Sequence, residues 1–247
     1  MYLRLKQIRN RLAYVATVTG LRSRKHFFIH IPKNGGMSVR KASQLEGRIL
    51  LANRKHLRST AYGNALFETM KRDGLAPGFE HARLRDVNVY VRKANTPFAV
   101  VRNPWSRTVS RFTFGQQQLP PDEQKDAYTV ARFEAFLEER HIWGDRDFYW
   151  HRAIRGWYPQ HDYVVDESGA IAVDILRQER LSADLVRYFG LENEIDRRNV
   201  SEGPKKDYRS YYTDRTIQII ADWYAKDIET FGFDFDTTAT RNTFFDD

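Results

Sequence analysis

Lys33, Asn34, Gly35, Gly36, Met37 and Ser38 follow a short apolar run, Phe27 to Ile31, that breaks at Pro32. A lysine, two glycines and a serine at the junction of a strand and a helix are suited to holding an anion. The glycines let the backbone approach closely, successive N–H groups point at the ligand, and the helix start adds a positive partial charge. The lysine supplies a full charge. The order departs from the G-x-x-x-x-G-K-[ST] loop of nucleoside triphosphatases, since the lysine precedes the glycines and the first glycine is missing. That order places the lysine on the strand side of the loop.

A second constellation, FAVVRNPWSRTVSRF at residues 98–112, has the same logic. A short apolar strand ends at Arg102, Asn103 is placed as an N-cap and Pro104 stands at the first helical position. On the helix that follows, Asn103, Ser106 and Ser110 share one face and Trp105, Val109 and Phe112 another. A guanidinium and a hydroxyl at that helix start suit a second phosphate, each charge-assisted hydrogen bond contributing roughly 1.5–3 kcal/mol.

Together, PKNGGMS (32–38) and RNPWSRTVS (102–110) resemble the PK-x-GG-x-S and R-N-P-x-x-R-x-x-S elements of the sulfotransferases that use 3′-phosphoadenosine 5′-phosphosulfate (PAPS). The resemblance is nearest to the carbohydrate branch, Golgi-type and bacterial, that contains the heparan 2-O-sulfotransferases. It extends through residues 159–191 and 207–235, and so over roughly 26–236. It implies that the first loop, Lys33 to Ser38, holds the 5′-phosphosulfate and that Arg102 and Ser110 hold the 3′-phosphate. Lys33 would also stabilise the leaving phosphate and the sulfuryl oxygens.

Sulfuryl transfer needs a base for the acceptor hydroxyl, positive charge on the transferring oxygens and in-line positioning. The branch carries a catalytic histidine between the two phosphate motifs, in a segment like FEHARLRD (79–86), which makes His81 the expected base. Imidazole, with an ordinary pKa of about 6.5, is a competent acceptor near neutrality. Glu80 is the alternative, and His56 lies in a stretch without matching context. His30 reads as a strand histidine satisfied by backbone. Relatives close a late basic loop over the nucleotide, which points to Lys205 and Lys206, with Tyr208 placed to stack on adenine; Arg177 and Glu179 read as structural.

The elements that must position these residues are those of an α/β protein. A helix is expected from Ser38 to about Leu45, short strands at 87–91 and 98–101, and a polar loop at 115–127. Thr129–Arg140 reads as an amphipathic helix, Ser182 as an N-cap with Gly190 as the stop, and Thr213–Thr230 as the clearest helix, carrying Ile217, Ile220, Tyr224 and Ile228 on one face. Strands separated by helices, with phosphate motifs at strand ends, predict a single domain with a P-loop-like parallel β-sheet flanked by helices and the ligand beyond its carboxyl edge. The organisation expected is a basic helical arm at 1–24, the sulfotransferase-like domain at 25–236 and a tail at 237–247.

Composition agrees without being specific. The 247 residues suffice for one α/β core, and the lack of cysteine removes disulfides, thiolate catalysis and Cys-bound metal, in keeping with a reducing compartment. The formal net charge of +8 favours anionic partners, and no Asp or Glu precedes Glu46. Leu5, Ile8, Leu12 and Val15 recur at helical spacing with basic residues between them. The ordinary reading packs that helix on the domain; a peripheral contact with anionic lipid is the other. No run reaches the roughly 18–20 apolar residues of a membrane span, and Arg9, Arg11, Thr17 and Thr19 interrupt any secretory core. The location expected is cytoplasmic, free or membrane-peripheral, or the Golgi lumen for a piece cut from an anchor such as the Golgi relatives carry.

Two rival functions are a nucleotide kinase or GTPase and a non-catalytic module that binds polyanions. The first needs Mg²⁺ held by an acid at a strand end, where this chain has Arg102; the second accounts for the charge but not for the loop or the serine stripe. No metal and no nucleic acid are expected. Resemblance favours a glycan or glycolipid hydroxyl as acceptor, and Trp105, Trp143, Tyr149, Trp150, Trp157 and Tyr158 include rings suited to sugars.

Overall fold

The computed structural model describes residues 2–74, 76, 78–124, 126–143, 157–195 and 207–245. In chain order the elements begin with α1 (Tyr2–Val18), β1 (His26–Ile29), α2 (Gly36–Lys41), β2 (Ile49–Leu51), α3 (Thr60–Arg72) and α4 (Val89–Lys93). Then come β3 (Thr96–Val101), α5 (Pro104–Gln116), α6 (Pro121–Gln124), α7 (Val130–Leu137), α8 (Glu139–Trp143) and α9 (His161–Val164). β4 (Asp174–Arg177), α10 (Leu181–Phe189), α11 (Asp214–Trp223) and α12 (Ala225–Phe231) complete the set.

The strands form one four-stranded sheet in the order β2-β1-β3-β4, and every pairing is parallel. In register, Phe27 lies beside Pro97 and Ile29 beside Ala99, and Ala99 lies in turn beside Ile175. Both sheet faces are covered, which is why β1 and β3 read as continuous apolar runs instead of alternating ones. Phe27, Ile29, Ala99, Val101 and Ile175 face a core shared with Leu66 of α3, Phe112 of α5 and Ile220 of α11. Phe28, Phe98, Val100 and Leu176 face a second core with Val39 of α2 and Leu185 and Phe189 of α10. The chain leaves β1 toward β2 on one side and β3 toward β4 on the other. This order makes the carboxyl ends of β1 and β3 the switch point at which such sheets take ligands.

Local expectations fare unevenly. β3 contains the expected 98–101 strand, Thr129 caps α7 by accepting from the Arg132 N–H, and Gly190 ends α10 in the left-handed region. Residues 87–91 are not a strand. The Asn88 side chain accepts from the Tyr90 N–H and starts α4 in the middle of that run, so the cap overrides the β-branched composition. The helix after the glycines starts two residues early, at Gly36, and gives way after Lys41 to a 3₁₀ turn at Ser43–Leu45. The 115–127 stretch contains the end of α5 and all of α6. Ser182 is inside α10 and donates to Glu194 instead of capping. The long final helix is two, α11 and α12, broken at Tyr224 (φ −108°, ψ 26°), although Ile220 and Tyr224 are buried as expected.

Among the described residues, no helix is long and apolar enough to cross a membrane.

Candidate functional site: an anion cradle at the sheet switch point

The turn between β1 and α2 is held in a conformation that its residues would not choose. Lys33 has φ 70°, the left-handed region that a non-glycine residue rarely occupies, and Gly35 follows at φ 76°. Surrounding contacts fix it. Arg107 Nε donates to the Pro32 carbonyl at 3.2 Å, Arg102 Nη1 to the Lys33 carbonyl at 3.0 Å, and Asn34 Nδ2 to the Val100 carbonyl at 2.8 Å. Gly36 is demanded by crowding, since a Cβ there would lie 1.9 Å from His30 Nε2. The main-chain N–H groups of Gly35, Gly36 and Met37 have no acceptor among the described residues, while those of Ser38 and Val39 both turn back to the Gly35 carbonyl.

Lys33, Arg102 and Arg107 meet at this turn. Burial, followed by the Arg102 and Arg111 charges, pulls the Lys33 ammonium down to about 8, and its Nζ sits 4.0 Å over the Phe114 ring. Arg102 donates through Nε and Nη2 to Ser106 Oγ at 3.0 and 2.8 Å. Because Ser106 accepts both bonds, its hydroxyl proton is left to point elsewhere. Burial holds the Arg102 guanidinium below its ordinary range, with Glu179 pulling the other way. Glu179 itself is occupied, accepting from the Asn103 N–H at 2.8 Å and from Thr238 Oγ1 at 3.3 Å. A cluster of buried cations, set among the described residues against the Glu179 and Asp227 carboxylates, favours an anion in its midst.

His81 reaches the same turn from the 3₁₀ segment Phe79–His81. Its Nδ1 lies 2.8 Å from the His30 carbonyl. A carbonyl only accepts, so Nδ1 carries the proton and the neutral ring presents its basic lone pair at Nε2. The His30 ring lies against it, centroids 4.3 Å apart. The expectation that backbone satisfies His30 fails: its Nδ1 is buried with no partner among the described residues, and its carbonyl serves His81 instead. Burial, with His81 and Arg40 adding to it, drives the His30 pKa well below the ordinary histidine value. Glu80 Oε1 lies 3.7 Å from Arg40 Nη1.

The structure therefore brings together Lys33, Gly35, Gly36, Met37, Ser38, Arg102 and His81 around one turn. The Asn34 Nδ2 is spent on structure, donating also to Gln160 Oε1 at 2.6 Å, while its Oδ1 is buried with no partner among the described residues. Ser110 lies one turn beyond Ser106 on α5, and the hydroxyl that Arg102 engages is that of Ser106. Tyr208 donates to the Phe235 carbonyl at 2.5 Å and packs its ring on Phe235. Arg177 is structural as expected, in a buried pair with Asp184 at 2.9 Å. Trp105 and Trp157 are core residues. Lys205, Lys206, Tyr149 and Trp150 lie outside the described residues.

Sequence reasoning missed three supports. Arg107, the second arginine of the RNP motif, is buried and joins Pro32 to the Tyr158 carbonyl, to which Nη1 donates at 3.1 Å. Gln160 accepts from the Arg102 N–H and donates to the Arg102 carbonyl, both at 2.8 Å. Asp227 accepts from the Gln160 and His161 N–H groups, and burial raises its carboxyl to about 6. The motif spacing could have found Arg107; Gln160 and Asp227 carry no local signal.

Fold and site define a parallel α/β protein in which cations and main-chain N–H groups gather at the β1/β3 switch point, with a histidine hydrogen-bonded to the same turn. A family model described as the sulfotransferase family matches residues 27–234, and the chain belongs to that family: it is a transferase of sulfuryl groups. No curated protein and no solved structure matches it.

Proposed function

We propose that this enzyme takes its sulfuryl group from PAPS and delivers it to a hydroxyl of a glycan or glycolipid. The observation that carries the reading is the convergence of Lys33, Arg102 and the Gly35–Met37 N–H groups at the β1/β3 switch point, with His81 hydrogen-bonded to the same turn. The donor set fits the nucleotide, since cations and N–H groups are what a phosphosulfate and a second phosphate need. PAPS, when bound, supplies an activated sulfuryl group on a phosphate leaving group. Lys33 and the glycine N–H groups would hold the 5′ end, and Arg102 with Ser106 and Ser110 the 3′-phosphate.

The chain's own part follows from charge and tautomer. Lys33 offers positive charge where negative charge grows during transfer, which favours the transition state over the ground state. His81, with Nδ1–H fixed on the His30 carbonyl, presents Nε2 to take the acceptor proton. Glu80 is instead engaged by Arg40 at 3.7 Å. Measuring transfer and affinity for 3′-phosphoadenosine 5′-phosphate side by side tests the assignment. His81→Ala should abolish transfer and leave affinity almost unchanged. Lys33→Ala should cut turnover roughly a hundred- to a thousandfold. Wild-type turnover in either variant would overturn its role, and tighter binding of ATP with Mg²⁺ than of the 3′-phosphorylated nucleotide would turn the reading toward a kinase.

A further inference from the structure

Helix α1 lies on the domain with its polar side inward. Lys6, Asn10, Ala13 and Thr17 are half-buried or buried, Lys6 Nζ donates to Thr60 Oγ1 at 3.5 Å, and the Tyr14 ring lies 6.0 Å from that of Tyr90. The apolar side faces out. Leu5, Ile8, Leu12 and Val15 are 57, 51, 63 and 52% exposed, and Leu21 just beyond the helix is 83% exposed. At 3.6 residues per turn the four helical positions fall within an arc of about 80°. Arg9 borders that arc on one side and Arg4 and Arg11 on the other. A helix that existed to complete the core would be turned the opposite way.

We infer that α1 is a membrane-docking element, its outward stripe of Leu5, Ile8, Leu12 and Val15 lying in the headgroup region of an anionic lipid surface. Charge selects the occupant. Ten Lys and Arg and no Asp or Glu precede Glu46. The Arg9 shoulder of the helix runs into a cleft lined also by Arg22, Lys55 and His56. The cations crowd one another there: burial, then Lys55, Arg54 and Arg9, lowers the Lys6 pKa. A second copy placed stripe to stripe would set Arg4, Arg9 and Arg11 against their equivalents with no acid on either helix. An anionic bilayer gives the stripe an apolar layer and the arginines their counter-charges in one geometry.

Flotation of the full chain with vesicles provides the test. The protein should float with phosphatidylglycerol–phosphatidylcholine vesicles, stay behind with pure phosphatidylcholine, and release as salt is raised. Ile8→Ser with Leu12→Ser should reduce flotation at least tenfold, as should Arg4→Gln with Arg9→Gln, while affinity for 3′-phosphoadenosine 5′-phosphate stays at the wild-type value. No flotation of the wild type, equal flotation with both vesicles, or an unchanged double serine variant would each overturn the inference. So would a wild-type dimer in light scattering that the serine variant converts to a monomer, because the stripe would then belong to a second copy.

Discussion

Lys33 is poised between two protonation states. Its ammonium is held at about 8 by burial and by the neighbouring Arg102 and Arg111 charges, so the free protein gives up this proton well before an ordinary lysine would. An anion in the cradle favours the charged form and raises that value. Affinity for 3′-phosphoadenosine 5′-phosphate should therefore be greatest below about pH 8, decline as pH rises through it, and be accompanied near it by proton uptake. Stability of the free protein has the opposite slope. The cost of the buried cation is present below the folded value and is relieved above it, where the unfolded chain still holds its proton. Calorimetric titration in two buffers of different ionisation heat measures the uptake, and Lys33→Arg should remove the slope. An affinity flat through that range would refute the assignment. The lysine and the glycines were legible because chemistry and backbone freedom are written in residue type. The choice of Ser106 as Arg102's partner was not, since Arg102 precedes the helix and its rotamer is set by the fold.

At the scale of elements, the β1–α2 turn depends on α5 more than on itself. Arg107 spans from α5 to the Pro32 and Tyr158 carbonyls. Arg107→Met keeps most of the volume and strands both acceptors, at about 1–3 kcal/mol each. With that brace gone, the left-handed Lys33 is no longer over-determined, so nucleotide affinity should fall together with thermal stability. Asp184→Ala supplies the contrast. It leaves Arg177 as a buried charge without its main counter-ion and should cost about 3–5 kcal/mol, yet the folded fraction should bind nucleotide normally. Equal affinity losses in the two variants would show that Arg107 acts only through global stability. Here the sequence was informative where periodicity and caps decide, as at α7 and the end of α10. It misled at 87–91, where one Asn88 cap outweighs several strand formers, and at Ser182, where a capping residue serves Glu194 inside a helix. Gln160 could not have been found, because its partners lie 58 and 126 residues away.

Over the whole molecule, the end of the chain returns to the site. The buried Asn103 side chain caps α5 through Oδ1, and its Nδ2 donates to the Asp234 and Thr237 carbonyls at 2.9 and 2.8 Å. Thr238 holds Glu179, and the Phe244 N–H donates to the Ile175 carbonyl at 2.8 Å. The role of this segment was not visible in the sequence, since the acceptors are main-chain carbonyls that any residue carries. Ending the chain after Phe233 would strand the Asn103 amide and free one arm of Glu179, which lies beside the Arg102 charge. Stability should fall by about 1–3 kcal/mol for the buried donor, and affinity for 3′-phosphoadenosine 5′-phosphate should weaken more than affinity for the nucleotide lacking the 3′-phosphate. Asn103→Ala removes the same donor and the α5 cap, so it should reproduce the stability loss and add roughly 1 kcal/mol. Thermal unfolding of both variants, with titration of the two nucleotides, separates the effects. If the shortened chain binds both nucleotides as the full chain does, the returning segment only covers the core, and the 3′-phosphate site is held by α5 alone.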